Sequence, residues 1–371
     1  MEIPDLEASL LAKAGPSQVS QRLRTEVFHL LKRNIEKCLS RLRPQLLVYG
    51  SWPLQTYTPC GDLDVTIVLP QSAGQSQTAS VLATVRSQLE FVAKIRPQCA
   101  IRDFTEVNGE VQLLKCSIKG VAVDLSVNQT SGLFSLRLLE YVDSLTAQHL
   151  FKRALVVVKA WATYESRVAG SRYGLLASYA LSVMVLCVLN CYPETRHSAF
   201  QTLIQLLQLL DSLDWEREVV TCFGVLPLAD YLASDTIRPR DQAANLFFTP
   251  LHLQVLAGDV GGASGFQAKF INIADPLKPE NNLGRSVSRG GFERIRLAVH
   301  ASLLKLEKLG PQSLFPSTLE LPSKSEDDTF QFSTELETVQ KSLQRALTVP
   351  IEPRKQWEAA TQAKKVAVAY R

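Results

Sequence analysis

Histidine and methionine are scarce in this 371-residue chain, with five and two copies, and none of its seven cysteines is spaced C-x-x-C. No cluster has the ligand spacing of a structural zinc site, and no disulfide framework is suggested. A reducing, intracellular setting, nucleus or cytoplasm, is therefore expected. Charge of one sign is not in excess either. Lys and Arg total 40 against 36 Asp and Glu, a net charge of +4. That excludes a strongly basic nucleic-acid binder, so any nucleic-acid affinity must come from a local basic groove. The start, Met1 to Asp5, lacks a basic n-region and an apolar h-region, and no signal peptide is expected. The one long uncharged run, Tyr173 to Pro193, is diluted by Ser178, Tyr179, Ser182 and Asn190. No Lys/Arg cluster flanks both its ends, so no membrane span is expected. There is no internal repeat.

What is present is more informative. Leu46-Leu47-Val48-Tyr49 runs into Gly50-Ser51, a turn-rich insert follows, and a second strand pattern opens as Asp62-Leu63-Asp64-Val65. Strand alternation has period two, so Asp62 and Asp64 share one face and Leu63, Val65 and Ile67 the other. Two carboxylates a few ångströms apart repel unless a cation lies between them. Hard oxygen ligands of this kind suit Mg²⁺, held by one or two carboxylates plus substrate phosphates. Gly50 allows close backbone approach to a phosphate, and Ser51 can donate a hydroxyl and an N–H to it. Farther on, Val111 to Lys119 and Val121 to Val127 alternate on either side of Lys119-Gly120, the pattern of a hairpin. Asp124 falls in its second strand on the face opposite Val121, Val123, Leu125 and Val127. A lone carboxylate in so apolar a strand needs a partner or a metal. Three carboxylates converging from two strands make two-metal phosphoryl transfer plausible.

Gly50-Ser51, Asp62-x-Asp64 and Asp124 resemble the polymerase-β-type nucleotidyltransferase signature. Four further blocks resemble the poly(A) and poly(U) polymerases among the terminal nucleotidyltransferases of that superfamily. They are Asp124 to Gly132, Val158-Lys159-Ala160-Trp161, Leu176 to Leu181 with Ser178-Tyr179, and Asp275-Pro276-Leu277 through Asn281-Asn282-Leu283-Gly284-Arg285. The wording of Lys159 to Arg167 and of Asn281 to Arg285 is most similar to the branch common in plants and algae. The resemblance covers roughly residues 42–305.

The resemblance implies an α+β fold, a small mixed-sheet nucleotidyltransferase domain plus a mainly helical central domain of the poly(A)-polymerase type. The expected organisation is an N-terminal helix over 1–41 packing on the central domain, and a catalytic domain over 42–145. A helical, base-binding central domain over 146–310 and a polar, flexible tail over 311–371 follow. Asp62, Asp64 and Asp124 would hold Mg²⁺, or Mn²⁺ in its place. Gly50, Ser51 and Lys159 would bind the triphosphate, Asn128 the ribose, and Tyr179 the base face with Ser178 on a phosphate. Asp275, Asn281 and Arg285 would complete the nucleotide site. Many relatives carry a second basic residue at the place of Thr163; Arg167 lies a further turn along the same helical face. Uridine-specific relatives carry His where Asn281 stands, so ATP is the expected substrate and AMP transfer to an RNA 3′ end the expected reaction. UMP transfer, a non-RNA acceptor and a nucleotide-binding scaffold without turnover are the alternatives. With no RNA-recognition motif or zinc finger visible, an RNA-binding partner protein would supply specificity.

Overall fold

A computed structural model describes residues 3–70, 77–109, 111–233, 246–258 and 262–315. The N-terminal segment is two helices rather than one, α1 (Ile3–Ala14) and α2 (Gln18–Cys38). Ser17 caps α2 by accepting from the Ser20 N–H, and Ser20 returns a bond to the Ser17 backbone, a reciprocal capping box. The apolar spacing of α2 buries Val27, Phe28, Leu30, Leu31 and Ile35 along one side.

Next come β1 (Gln45–Tyr49), a single helical turn α3 (Ser51–Leu54), β2 (Leu63–Val68) and helix α4 (Thr78–Ile95). Strands β3 (Ile101–Val107), β4 (Leu113–Ile118) and β5 (Val121–Val127) complete a five-stranded sheet of order β1-β2-β5-β4-β3. Within it β2 and β5 pair in parallel and the other neighbours antiparallel. The expected hairpin is thus β4–β5, turning at Lys119-Gly120, where both residues have positive φ. Helix α4 lays Val81, Val85, Leu89 and Val92 on the sheet. It also packs on α2, while α1 packs elsewhere, on the helical half.

That half contains α5 (Ser131–Ser144), α6 (Leu150–Ala160), α7 (Ser178–Cys191) and α8 (Ala199–Ser212). The short hairpin β6 (Glu218–Thr221) and β7 (Gly224–Pro227) leads to α9 (Leu228–Ala233) and α10 (Pro250–Ala257). A second small hairpin, β8 (Ala274–Asp275) with β9 (Lys278–Asn282), precedes α11 (Arg289–Leu309). Helix α7 is buried from Ala180 to Asn190, which explains the uncharged run. Among the described residues no helix is long and apolar enough to cross a membrane. Helix α1 is fixed by buried Glu7, whose Oε2 accepts from Ser198 Oγ at 2.8 Å and whose Oε1 lies 3.6 Å from Arg153.

The C-terminal part departs from the expected polar tail. The stretch from 311 begins as packed chain: Leu314 is fully buried and Phe315 meets Phe200 edge-on at 6.1 Å. The rest of that tail, 316–371, lies outside the described residues. On α11 the core face is carried by Ile295 and Val299, whereas Leu297 points to solvent.

Candidate active site

The sheet does most of the positioning. Asp64 on β2 and Asp124 on β5 are direct partners in the parallel ladder, so their side chains emerge together. Asp62 stands one residue before β2 begins and joins them from the loop. Ligand oxygens of the three carboxylates lie within 4.8 Å of one another, and among the described residues this is the group placed to hold a metal ion. Burial drives the Asp64 carboxyl well above the usual carboxylate range, and the charges of Asp62 and Asp124 push the same way. Burial also raises Asp124, against the pull of Lys115. Converging hard oxygens that resist sharing so much negative charge are a donor set that fits Mg²⁺ or Mn²⁺.

Gly50 has φ +76, and a Cβ there would fall 2.3 Å from Asp64 Oδ2. Only glycine lets the chain pass so close to the carboxylate. Ser51 follows as the first residue of α3. Lys159, at the end of α6, is buried, and its Nζ donates to the Thr56 carbonyl at 3.1 Å and to Thr56 Oγ1 at 3.3 Å. Burial lowers its amine to about 8, while Asp62 and Asp64 act to raise it. Lys159 therefore ties the helical half to the insert between Gly50 and Asp62.

The residues expected to meet the base form a second cluster. Asp275 is buried and accepts from Tyr179 Oη at 3.4 Å, from the Leu277 N–H at 3.0 Å and from Asn281 Nδ2 at 2.9 Å. Arg285 Nη1 donates to Asn281 Oδ1 at 2.7 Å. The Asn281 amide is thus held at both ends, with one N–H and one lone pair to spare. Burial raises the Tyr179 phenol, the neighbouring Asp275 charge adds to the rise, and Ser135 on α5 opposes it by hydrogen bonding. Ser178 is exposed at the start of α7. The adjacent Asn282 is structural: its Oδ1 accepts from Ile273 and Gly284 N–H groups, and its Nδ2 donates to the Gln267 carbonyl.

Two residues do not take the expected places. Asn128 sits in a left-handed conformation at the end of β5, where its Oδ1 accepts from the Leu69 N–H at 2.9 Å. It lies four residues beyond Asp124, about 13 Å along a strand, with its side-chain oxygen engaged by the Leu69 N–H. Arg167 does not continue the face of Lys159. Helix α6 gives way to a π-helical turn over Trp161–Glu165, and Arg167 follows with φ 53, exposed. The wider π turn breaks the 3.6-residue register.

One cation was not anticipated. Lys115 on β4 is the cross-strand partner of Asp124, and its Nζ forms an ion pair with Asp124 Oδ2. The signal was available: a hairpin that pairs Ile118 with Val121 sets residue 115 opposite 124.

Comparison with known proteins agrees with this geometry. A family model described as the central palm domain of mitochondrial-like poly(A) RNA polymerase matches residues 5–144. The PAP/OAS1 substrate-binding domain matches 145–315. Poly(A) RNA polymerase CID14 of Cryptococcus neoformans is 26% identical over 205 residues, 53% of this chain and 24% of that protein. Poly(A) polymerase PAPa of Candida albicans is 24% identical over 211 residues, 48% of this chain and 38% of its own. The chain thus spans between about a quarter and two fifths of the length of these curated relatives. Among solved structures, a Cid1 poly(U) polymerase bound to MgGTP superposes with a TM-score of 0.61 at 16% identity, covering 84% of this chain and 97% of that one. A cytoplasmic RNA terminal U-transferase gives 0.60 at 15%, covering 84% and 98%. These likenesses show a common fold. With consecutive family models accounting for both halves and the sheet bringing the three carboxylates together, the chain belongs to the terminal nucleotidyltransferase family of poly(A) and poly(U) polymerases.

Proposed function

We propose that this protein is a template-independent RNA 3′-terminal nucleotidyltransferase that transfers AMP from ATP and releases pyrophosphate. The observation that carries the reading is the convergence of Asp62, Asp64 and Asp124 next to the Gly50-Ser51 turn. Divalent ions held there would neutralise phosphate charge and acidify the attacking 3′-hydroxyl. Phosphoryl transfer asks little covalent help of the protein, so its residues act by positioning and charge. Lys159 would exchange its Thr56 contacts for triphosphate oxygens, and Ser51 and Ser178 would donate hydroxyls to phosphate. Tyr179 would offer a ring face to any base, giving affinity without choice. Choice would then fall to Asn281. Its spare N–H and lone pair match the acceptor and donor at the adenine edge. In support, a Cid1 poly(U) polymerase structure is described as a histidine-to-asparagine variant bound to MgATP. An RNA-binding partner would deliver the substrate, and a reducing compartment suits the seven free thiols.

Extension of a labelled oligoribonucleotide with each NTP separately, in Mg²⁺ and in Mn²⁺, tests the reading. A ladder with ATP that disappears in Asp64→Asn is expected. Preference for UTP would overturn the adenine assignment and leave uridylyl transfer, the activity named for the structural neighbours. No extension with any nucleotide in either metal would overturn the transferase reading.

A further inference from the structure

The sheet places two of the three carboxylates and leaves the third unplaced. Asp64 pairs with Tyr49 on one side and Asp124 on the other. Asp62 precedes β2, belongs to neither ladder and is exposed. Something other than strand pairing must hold it.

Arg24, on α2, is in position to do so. It is buried, with 3% of its surface exposed. Its Nη2 donates to the Gly61 carbonyl at 2.7 Å, and its guanidinium lies 4.1 Å above the Tyr57 ring. The Gly61 carbonyl and the Asp62 N–H belong to one planar peptide unit, so a bond that orients the carbonyl orients the backbone of Asp62. The same face of α2 holds the rest of the insert. Gln21 Oε1 accepts from Trp52 Nε1 at 2.9 Å and from Tyr57 Oη at 3.3 Å, and Ser20 Oγ lies 2.9 Å from Tyr57 Oη. Ser20, Gln21 and Arg24 recur at helical spacing along that face. The arrangement is costly, because Arg24 Nε is buried with no partner and, among the described residues, the guanidinium makes no hydrogen bond to a carboxylate. A buried charge kept for one carbonyl and one ring is an investment in placement rather than in stability.

We infer that Arg24 is the positioning residue for Asp62: through the Gly61 peptide, helix α2 sets the third carboxylate of the metal site. The inference rests on the metal reading above, and its test is a binding measurement that needs no RNA extension. Mn²⁺ affinity of the full chain is measured by electron paramagnetic resonance, with thermal unfolding followed in parallel. Arg24→Met should weaken Mn²⁺ binding about tenfold or more, the usual effect of losing a residue that orients a ligand. Asp62→Asn should do the same, and Arg24→Met added to Asp62→Asn should weaken it no further, because the two act through one group. Gln21→Leu, which loosens the insert away from Gly61, should lower the melting temperature and leave Mn²⁺ affinity unchanged. A field effect alone would have the opposite sign, since removing a cation near Asp62 would tighten Mn²⁺ binding. Unchanged or tighter binding in folded Arg24→Met therefore overturns the proposal. If Arg24→Met does not fold, Arg24→Lys carries the test, with weaker Mn²⁺ binding expected in a folded protein. Failure of both to fold would show a general structural role and overturn it too. Wild-type protein that binds Mn²⁺ no better than Asp64→Asn would instead sink the metal reading, and this inference with it.

Discussion

At position 50 a single methyl group decides whether the site can exist. A Cβ there would meet Asp64 Oδ2 at 2.3 Å in a backbone with φ +76. Gly50→Ala should leave the melting temperature within a few degrees of wild type and cut nucleotide transfer about a hundredfold, the scale of a 1 Å misplacement of reacting groups. A steady-state extension assay beside a melting curve checks it. Asp64 tells the complementary story. Its carboxyl is raised in the folded state, by burial first and by Asp62 and Asp124 next. Such a group favours folding below its unfolded pKa, and that contribution is lost as pH rises through the folded value. At neutral pH, above the unfolded pKa, the metal-free protein therefore carries the cost of that upward shift. Asp64→Asn should abolish transfer yet raise the melting temperature in EDTA by about 2 °C, corresponding to about 1 kcal/mol. The gain should vanish when Mg²⁺ is added to both proteins. Melting curves of the pair with and without Mg²⁺ decide the matter, and a lower melting temperature for the variant in EDTA would contradict it.

At the scale of elements, the periodic ones were readable and the short ones were not. Helices α2 and α4 and the β4–β5 hairpin follow from period 3.6 and period 2, because each buries one face. Strands β6 to β9 are two to five residues long, too few to show a period. Their packing comes from elsewhere, through Val219, Ala274, Tyr231 and Phe266. Element ends misled in another way. Asn128 is expected at the ribose, but an Asn at that place also suits the end of a strand, and its Oδ1 accepts from the Leu69 N–H there. Asn128→Ala should accordingly leave the ATP-to-dATP preference unchanged and cost about 1 kcal/mol of stability for the lost hydrogen bond. Kinetics with both nucleotides and urea unfolding measure the two parts. The π turn after α6 likewise defeats any extrapolation of the Lys159 face to Arg167. At the other end of the helical half, Leu314 is wholly buried and Phe315 is buried beside it, although the stretch that follows in sequence is polar. Leu314→Ala should destabilise by about 2–3 kcal/mol, as for a core leucine, which chemical denaturation would register.

For the molecule as a whole, the informative contact is Lys159 reaching from the helical half to Thr56 in the catalytic insert. Burial pushes its amine down to about 8, despite the pull of Asp62 and Asp64. Below that pH it carries the charge a triphosphate needs; above it the free protein presents a neutral amine. The KM for ATP should therefore climb above about pH 8, approaching tenfold per pH unit, while kcat at saturating ATP changes less. Lys159→Arg keeps its charge throughout and should flatten the profile. An ATP KM that is level from pH 7 to 9.5 in the wild type would exclude Lys159 as a phosphate ligand.

The ladder register of the sheet has a practical meaning beyond chemistry. Asp64 and Asp124 are partners across β2 and β5, and side chains along a strand switch faces at every residue. A slip of one residue between those strands would send one carboxylate to the opposite face and every apolar neighbour with it. Correct assembly of the sheet and correct assembly of the metal seat are then a single event. Molecules that refold wrongly should be inactive rather than sluggish, so the titre of tight Mn²⁺ sites in a refolded preparation counts its native chains.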